Sequence, residues 1–161
     1  MATQLEQASE VVTSVVHGAD VPWVWMGFEN SGIEMKLLRR GREDGVYTFM
    51  NRFAPGFMAP RHLHLGEVHA WTMEGCWCYL EYDWKARAGD YVYEPADSIH
   101  TLYVPEENEG LTTVLFTVEK GLDLYDENGE LFMTQDGAGL EELYRAGLAE
   151  QGLDWPDAIL P

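Results

Sequence analysis

Basic side chains are scarce in this chain. Its 161 residues carry 10 Lys and Arg against 28 Asp and Glu, a formal net charge of -18. A field of that sign repels phosphates, which argues against nucleic acid and anionic membranes as partners. Cysteine is scarcer still: Cys76 and Cys78 are the only two, spaced C-x-C. On a strand, residues i and i+2 share a face and diverge, so the pair suits neither a local disulfide nor C-x-x-C redox chemistry, and no second pair exists for a zinc site. Reduced thiols are expected. Apolar runs long enough to span a bilayer are missing, and the first residues lack the basic-then-apolar pattern of a secretory signal. These absences lead to the expectation of a soluble cytoplasmic protein.

What the chain does have is apolar and aromatic mass, 46% hydrophobic residues with six Trp, enough for a core. Short runs rich in β-branched and aromatic residues recur between Gly, Pro and acidic clusters. They predict strands over 23–26, 33–38, 46–53, 68–73, 77–82, 91–94, 101–104 and 112–118, with a further short run at 130–133. One segment has helical period: Leu140, Leu143, Tyr144, Gly147 and Leu148 fall at i, i+3, i+4, i+7 and i+8. Asp136 stands near its start and Gly152 past its end. Many short strands with a single late helix predict an all-β sandwich or small barrel. Residues 1–10 are polar and expected to fray, leaving 11–161 as one domain.

Two motifs carry the chemistry. Gly56-Phe-Met-Ala-Pro-Arg-His62-Leu-His64 reads G-x5-H-x-H, and Gly89-Asp-Tyr-Val-Tyr-Glu-Pro95-Ala-Asp97-Ser-Ile-His100 reads G-x5-P-x-D-x2-H. On a strand His62 and His64 share a face roughly 7 Å apart, close enough to converge on one ion. His100 starts the next strand-like run, after a turn fixed by Pro95 and Asp97. Alone, an H-x-H is as easily two exposed histidines as a metal site; the third imidazole turns the balance toward a metal.

These motifs resemble the two signatures of the cupin superfamily. The resemblance implies a double-stranded β-helix, or jelly roll, with the metal inside. Such motifs usually add a carboxylate seven residues before a glycine. Counting back from Gly75 lands on Val68, while Glu67 and His69 fall on the opposite face. The wider runs 17–23, 60–75 and 91–95 resemble the 2,4'-dihydroxyacetophenone dioxygenase group, with acetylacetone-cleaving dioxygenase as a relative. That resemblance implies Fe(2+) held by His62, His64 and His100 without a carboxylate. It further implies a small ketone substrate and O2 as partners, and a C–C bond broken beside a carbonyl. It also implies Glu81 as catalytic residue, either a base or a second-shell support, with Glu94 and Glu67 as rivals for the role.

The run Trp77-Cys-Tyr-Leu-Glu81 is read as one strand with Trp77, Tyr79 and Glu81 on one face, so Trp77 and Tyr79 are the expected substrate contacts. Each aromatic has the plainer reading of core filler. Arg61, beside the ligands, is read as a partner in an ion pair. A homo-oligomer, dimer or tetramer, is expected from exposed sheet edges. Two other readings use the same histidines: a non-catalytic metal-binding or sensor protein, and an isomerase or lyase with another divalent metal.

Overall fold

The computed structural model describes residues 1, 3–5 and 12–161; the expected frayed segment falls largely outside them. After a short 3-10 turn, Gly18–Asp20, the described strands are β1 (Val24–Trp25), β2 (Ile33–Arg39), β3 (Val46–Phe53), β4 (Arg61–His64), β5 (Val68–Glu74), β6 (Cys76–Tyr79) and β7 (Ala86–Arg87). They continue with β8 (Tyr91–Glu94), β9 (Ile99–His100), β10 (Leu102–Tyr103), β11 (Thr112–Glu119), β12 (Leu122–Tyr125) and β13 (Leu131–Gln135). A six-stranded sheet runs β1-β2-β3-β11-β5-β8, a four-stranded sheet β13-β12-β4-β9, and a smaller one β10-β6-β7. The strand ladders are antiparallel, and the sheets wrap one interior as a jelly roll, as the sequence predicts.

Alternation explains which sheet faces inward. In β3, Tyr47, Phe49, Asn51 and Phe53 are buried while their neighbours are half-exposed; β11 repeats the pattern with Thr112, Val114, Phe116 and Val118. Strict period-2 burial over eight residues means one dry face and one wetter face. The predicted helix is α1, Gly137–Glu150. The Asp136 carboxylate caps it by accepting from the Gly139 N–H at 2.9 Å. Leu140, Tyr144 and Leu148 bury its apolar stripe. Gly147 sits on that stripe for lack of room: a Cβ there would come within 2.7 Å of Val24. Packing, not backbone freedom, sets this glycine. Among the described residues no helix is long and apolar enough to cross a membrane.

Two predicted strands are placed differently, and both bear on the site. The run expected at 77–82 ends at Tyr79, and residues 80–83 form a turn. The run expected at 101–104 is split around Thr101 into β9 and β10, so His100 closes a strand rather than preceding one. The strands β7 and β12 carry too few β-formers to stand out in sequence.

Candidate metal centre

The site is built on β4 and β9, which pair antiparallel with His62 opposite His100. His62 and His64 point inward from β4, 7% and 3% exposed, while Arg61 between solvent and turn is exposed. The turn before β9 is braced against the same strand: the Asp97 N–H donates to the His64 carbonyl at 2.8 Å, and the His64 N–H donates to the Ser98 carbonyl at 3.0 Å. Asp97 adopts φ 67°, a left-handed conformation its short polar side chain tolerates. His100, 1% exposed, is therefore set by the backbone of the strand that carries the other two ligands.

The three imidazoles offer nitrogens that all lie within 4.8 Å of one another. The His64 and His100 Nε2 atoms are 3.0 Å apart. Two neutral lone pairs would not choose that contact, but donors bonded to one ion at right angles, with bonds of about 2.1 Å, stand roughly that far apart. The His62 Nδ1 lies 3.0 Å from the Pro60 carbonyl, a contact that puts its N–H there and leaves Nε2 as the lone pair facing the others. Burial lowers the His62 pKa to about 4, with the neighbouring His64 adding to the effect. His62 is thus neutral and able to ligate at pH 7.

A carboxylate belongs to this cluster after all, though not from the expected strand. Val68 on β5 pairs in register with Glu94 on β8, so the acid expected at Val68 arrives from the next strand. Glu94 is 2% exposed. Its Oε2 lies 2.8 Å from His64 Nε2 and 3.7 Å from His100 Nε2. Its Oε1 accepts from the Tyr79 hydroxyl at 2.7 Å. Burial pushes its pKa up, but His100, His64 and Tyr79 outweigh that and hold it down to about 2. Glu94 Oε2, His64 Nδ1 and His100 Nδ1 are three of the five buried side-chain polar atoms without a hydrogen-bond partner among the described residues. An ion held by the three imidazoles would stand near this carboxylate, so the donor set fits a divalent metal that accepts nitrogen ligands.

The other expected site residues separate. Tyr79, 1% exposed, stacks on His100 with ring centroids 3.5 Å apart and lines the cavity beside His62 and His64. Trp77 does not line it; its indole N–H donates to Thr72 Oγ1 at 2.8 Å, and its ring packs edge-on against Tyr79. Glu81 lies away from the cavity. Because the strand stops at Tyr79, it sits in the exposed turn. Its carboxylate accepts from the Thr101 N–H at 2.8 Å and the Thr101 hydroxyl at 2.9 Å. It fixes the residue after His100 instead of facing the ligands. Arg61, read as an ion-pair partner, forms no salt bridge among the described residues. Glu67 pairs with His69 and Tyr93 on the outer face.

The cavity measures about 240 Å³. Its walls are mainly apolar, with Phe49, Phe53, Phe57 and Phe116 among them, and no Lys, Arg, Asp or Glu lines it. Such a space takes a small neutral molecule.

Residues 11–121 match the family model described as the ChrR cupin-like domain. Among solved structures, a protein of unknown function with a cupin-like fold from Ralstonia eutropha JMP134 is 31% identical, with 91% of this chain and 93% of that one covered and a TM-score of 0.79. An RmlC-like cupin from the same organism is 24% identical over 94% and 97% of the two chains, with a TM-score of 0.84. The acetylacetone dioxygenase of Acinetobacter johnsonii shares the fold at 17% identity, covering 85% and 93%, with a TM-score of 0.70. Among curated proteins none matches the sequence. The family match over more than half of the sequence, together with the three-histidine centre inside the barrel, places this chain in the ChrR cupin-like family.

Proposed function

We propose that this protein is an iron(II) dioxygenase that cleaves a C–C bond beside a carbonyl. The proposed substrate is an aryl α-hydroxyketone such as 2,4'-dihydroxyacetophenone, giving an aromatic acid and formate, with both atoms of O2 in the two products. The observation that carries this reading is three buried imidazoles beside a buried carboxylate, with His62 and His64 lining a cavity of mainly apolar walls. The shared fold of the acetylacetone dioxygenase supports it.

Bound to His62, His64 and His100, iron(II) would supply oxygen chemistry and a Lewis acid for the carbonyl oxygen. The chain's own groups do the rest. Neutral imidazoles would add no negative charge of their own to the ion, which would favour an anionic substrate oxygen. Glu94 does not line the cavity, but its carboxylate lies 2.8 Å from His64 Nε2, and it is proposed to receive the proton released at the centre as the substrate hydroxyl or enol ionises. Tyr79 holds Glu94 Oε1 and presses its ring on His100, so base and ligand share one support. The phenylalanine walls exclude water and suit an aryl group.

The competing reading is a metal-binding regulatory protein, which the family's ChrR name favours; an isomerase or lyase using another metal is a third. Anaerobic iron loading followed by oxygen uptake with 2,4'-dihydroxyacetophenone and with acetylacetone separates them. Uptake with stoichiometric formate from the hydroxyketone is the expected result. An iron-loaded protein that consumes no oxygen with either compound overturns the dioxygenase.

A further inference from the structure

One wall of the cavity holds a group that the chemistry above does not use. Asn51 faces inward from β3 between Phe49 and Phe53, 5% exposed, and lines the cavity. Its amide nitrogen is committed: Nδ2 donates to the Glu34 carbonyl at 3.1 Å and approaches Met26 Sδ at 3.3 Å. Those contacts orient the carboxamide and leave Oδ1 as the free half. No described residue donates a hydrogen bond to Oδ1, yet Oδ1 is not among the sealed, unpartnered atoms. It therefore keeps accessible surface, and on this inward-facing residue that surface belongs to the cavity. A leucine at this position would pack the same wall without an acceptor to satisfy.

The ladder fixes where this acceptor lies relative to Glu94. Val118 on β11 pairs with Val68, and Val68 pairs with Glu94. Asn51 pairs with Val114, four residues along β11. Asn51 thus lies two inward-facing rows from Glu94's row, roughly 13 Å along the strand direction. The row between them carries Phe49 and Phe116, which pair with each other. Asn51, Phe49 and Phe116 line the same cavity as His62 and His64, so a molecule whose carbonyl end meets the imidazoles has the two phenylalanines and Asn51 among its remaining walls.

We propose that Asn51 is a specificity determinant. Its amide oxygen accepts a hydrogen bond from a hydroxyl or N–H at the end of a small neutral substrate remote from the metal centre. The proposal rests on reading this cavity as the substrate site. A buried acceptor of this kind discriminates strongly, because the analogue lacking the donor leaves Oδ1 unpaired. An anionic far end is disfavoured by the same oxygen and by the lack of any cationic side chain in the lining.

The test measures binding, not turnover. Zinc-loaded protein is titrated with 4-hydroxyacetophenone and with 4-methylacetophenone, which match in size and differ in the donor, and heat or tryptophan fluorescence is followed. Wild type is expected to prefer the hydroxy compound by about tenfold or more, equivalent to 1.4 kcal/mol. In Asn51→Leu the ratio falls to about one, with 4-methylacetophenone binding as well as before or better. Equal affinities in wild type, no binding of either compound, or an unchanged ratio in Asn51→Leu would overturn the proposal. The wild-type ratio decides even if the variant folds poorly. A protein that shows the ratio but consumes no oxygen when loaded with iron keeps this inference and loses the dioxygenase.

Discussion

Two buried glutamates show what separates a support from a site. Glu141 on α1 is ringed by guanidinium groups: Arg145 at 2.8 Å, Arg42 at 3.0 Å and Arg40 at 3.5 Å. Its partners come from its own helix and from the segment joining β2 to β3, so it ties α1 to the large sheet. Burial raises its pKa, but Arg145 and Arg42 outweigh that and lower it, and its charge is fully met. Among the described residues no Lys or Arg pairs with Glu94. Its Oε1 accepts from the Tyr79 phenol, and its Oε2 lies 2.8 Å from His64 Nε2. A carboxylate this deeply buried, with imidazoles and a phenol for partners in place of guanidinium groups, stands where an ion bound by those imidazoles would meet it. The contrast is between charge that is paired within the protein and charge held for a guest.

The contrast breaks most severely if the guest has no fixed home. His100→Ala should lower metal content at least 100-fold in competition with a chelator and abolish oxygen uptake, because two histidines on one strand remain. Full occupancy by elemental analysis in that variant would show that His100 is no ligand.

Glu94→Gln comes next. Neutralising the acid while keeping its shape should cut turnover about 100-fold, within the range for a removed proton acceptor. Metal retention by the histidines should persist. The metal-free variant should gain no stability at pH 7, because a pKa held down to about 2 means that the fold favours the ionised acid. A large fall in melting temperature would mean that Glu94 serves the fold as Glu141 does.

The imidazoles predict a pH signature in the metal-free protein. His62 in the folded state resists protonation down to about 4, whereas the unfolded chain takes the proton near 6.5. Between those values the unfolded state binds more protons, so stability falls as pH drops, by roughly 3 kcal/mol across the window. Urea midpoints at pH 7, 5.5 and 4 give the slope. His62→Leu should flatten it, and an unchanged slope would remove His62 as its source.

Glu141→Leu should have a smaller effect and no functional one. Its partners Arg42 and Arg145 are about half exposed, with side chains 58% and 47% accessible, so water screens much of the loss. A drop of about 1–2 kcal/mol, or a few degrees in melting temperature, is expected with metal content unchanged. Loss of metal from this variant would mean that the two regions are coupled.

The sequence exposes these regions unequally. Period-2 alternation and turn residues mark β3, β5, β8 and β11 because each buries one face, and the spacing of Leu140, Tyr144 and Leu148 marks α1 for the same reason. His62, His64 and His100 are legible because a third imidazole, after the Pro95 and Asp97 turn, joins an H-x-H pair that alone would decide nothing. Glu94 is obscured, although it lies inside the second motif. Its role depends on Val68 and Glu94 being cross-strand partners, a register that no local pattern encodes. Trp77 is misread as a wall of the pocket because sharing a strand face with Tyr79 does not fix which of the two meets the cavity. Asn51 offers only an odd polar residue between two phenylalanines.

Glu81 is where that limit can be tested most finely. Counting i+2 from Tyr79 would aim it inward, but the chain turns at Leu80 and leaves the carboxylate to clamp Thr101. From there it can reach the centre only through backbone, by holding the residue that follows His100. Its removal should therefore loosen a ligand without removing a reactant. Glu81→Gln keeps an acceptor for the Thr101 N–H, so turnover should stay within about threefold and metal affinity within tenfold, in line with outer supports of metal ligands. Glu81→Ala, which removes both acceptors, should weaken metal binding further while leaving turnover per bound iron unchanged. A fall of 100-fold in turnover per iron for Glu81→Gln, with metal content intact, would return Glu81 to the chemistry and make Glu94 its partner rather than its replacement.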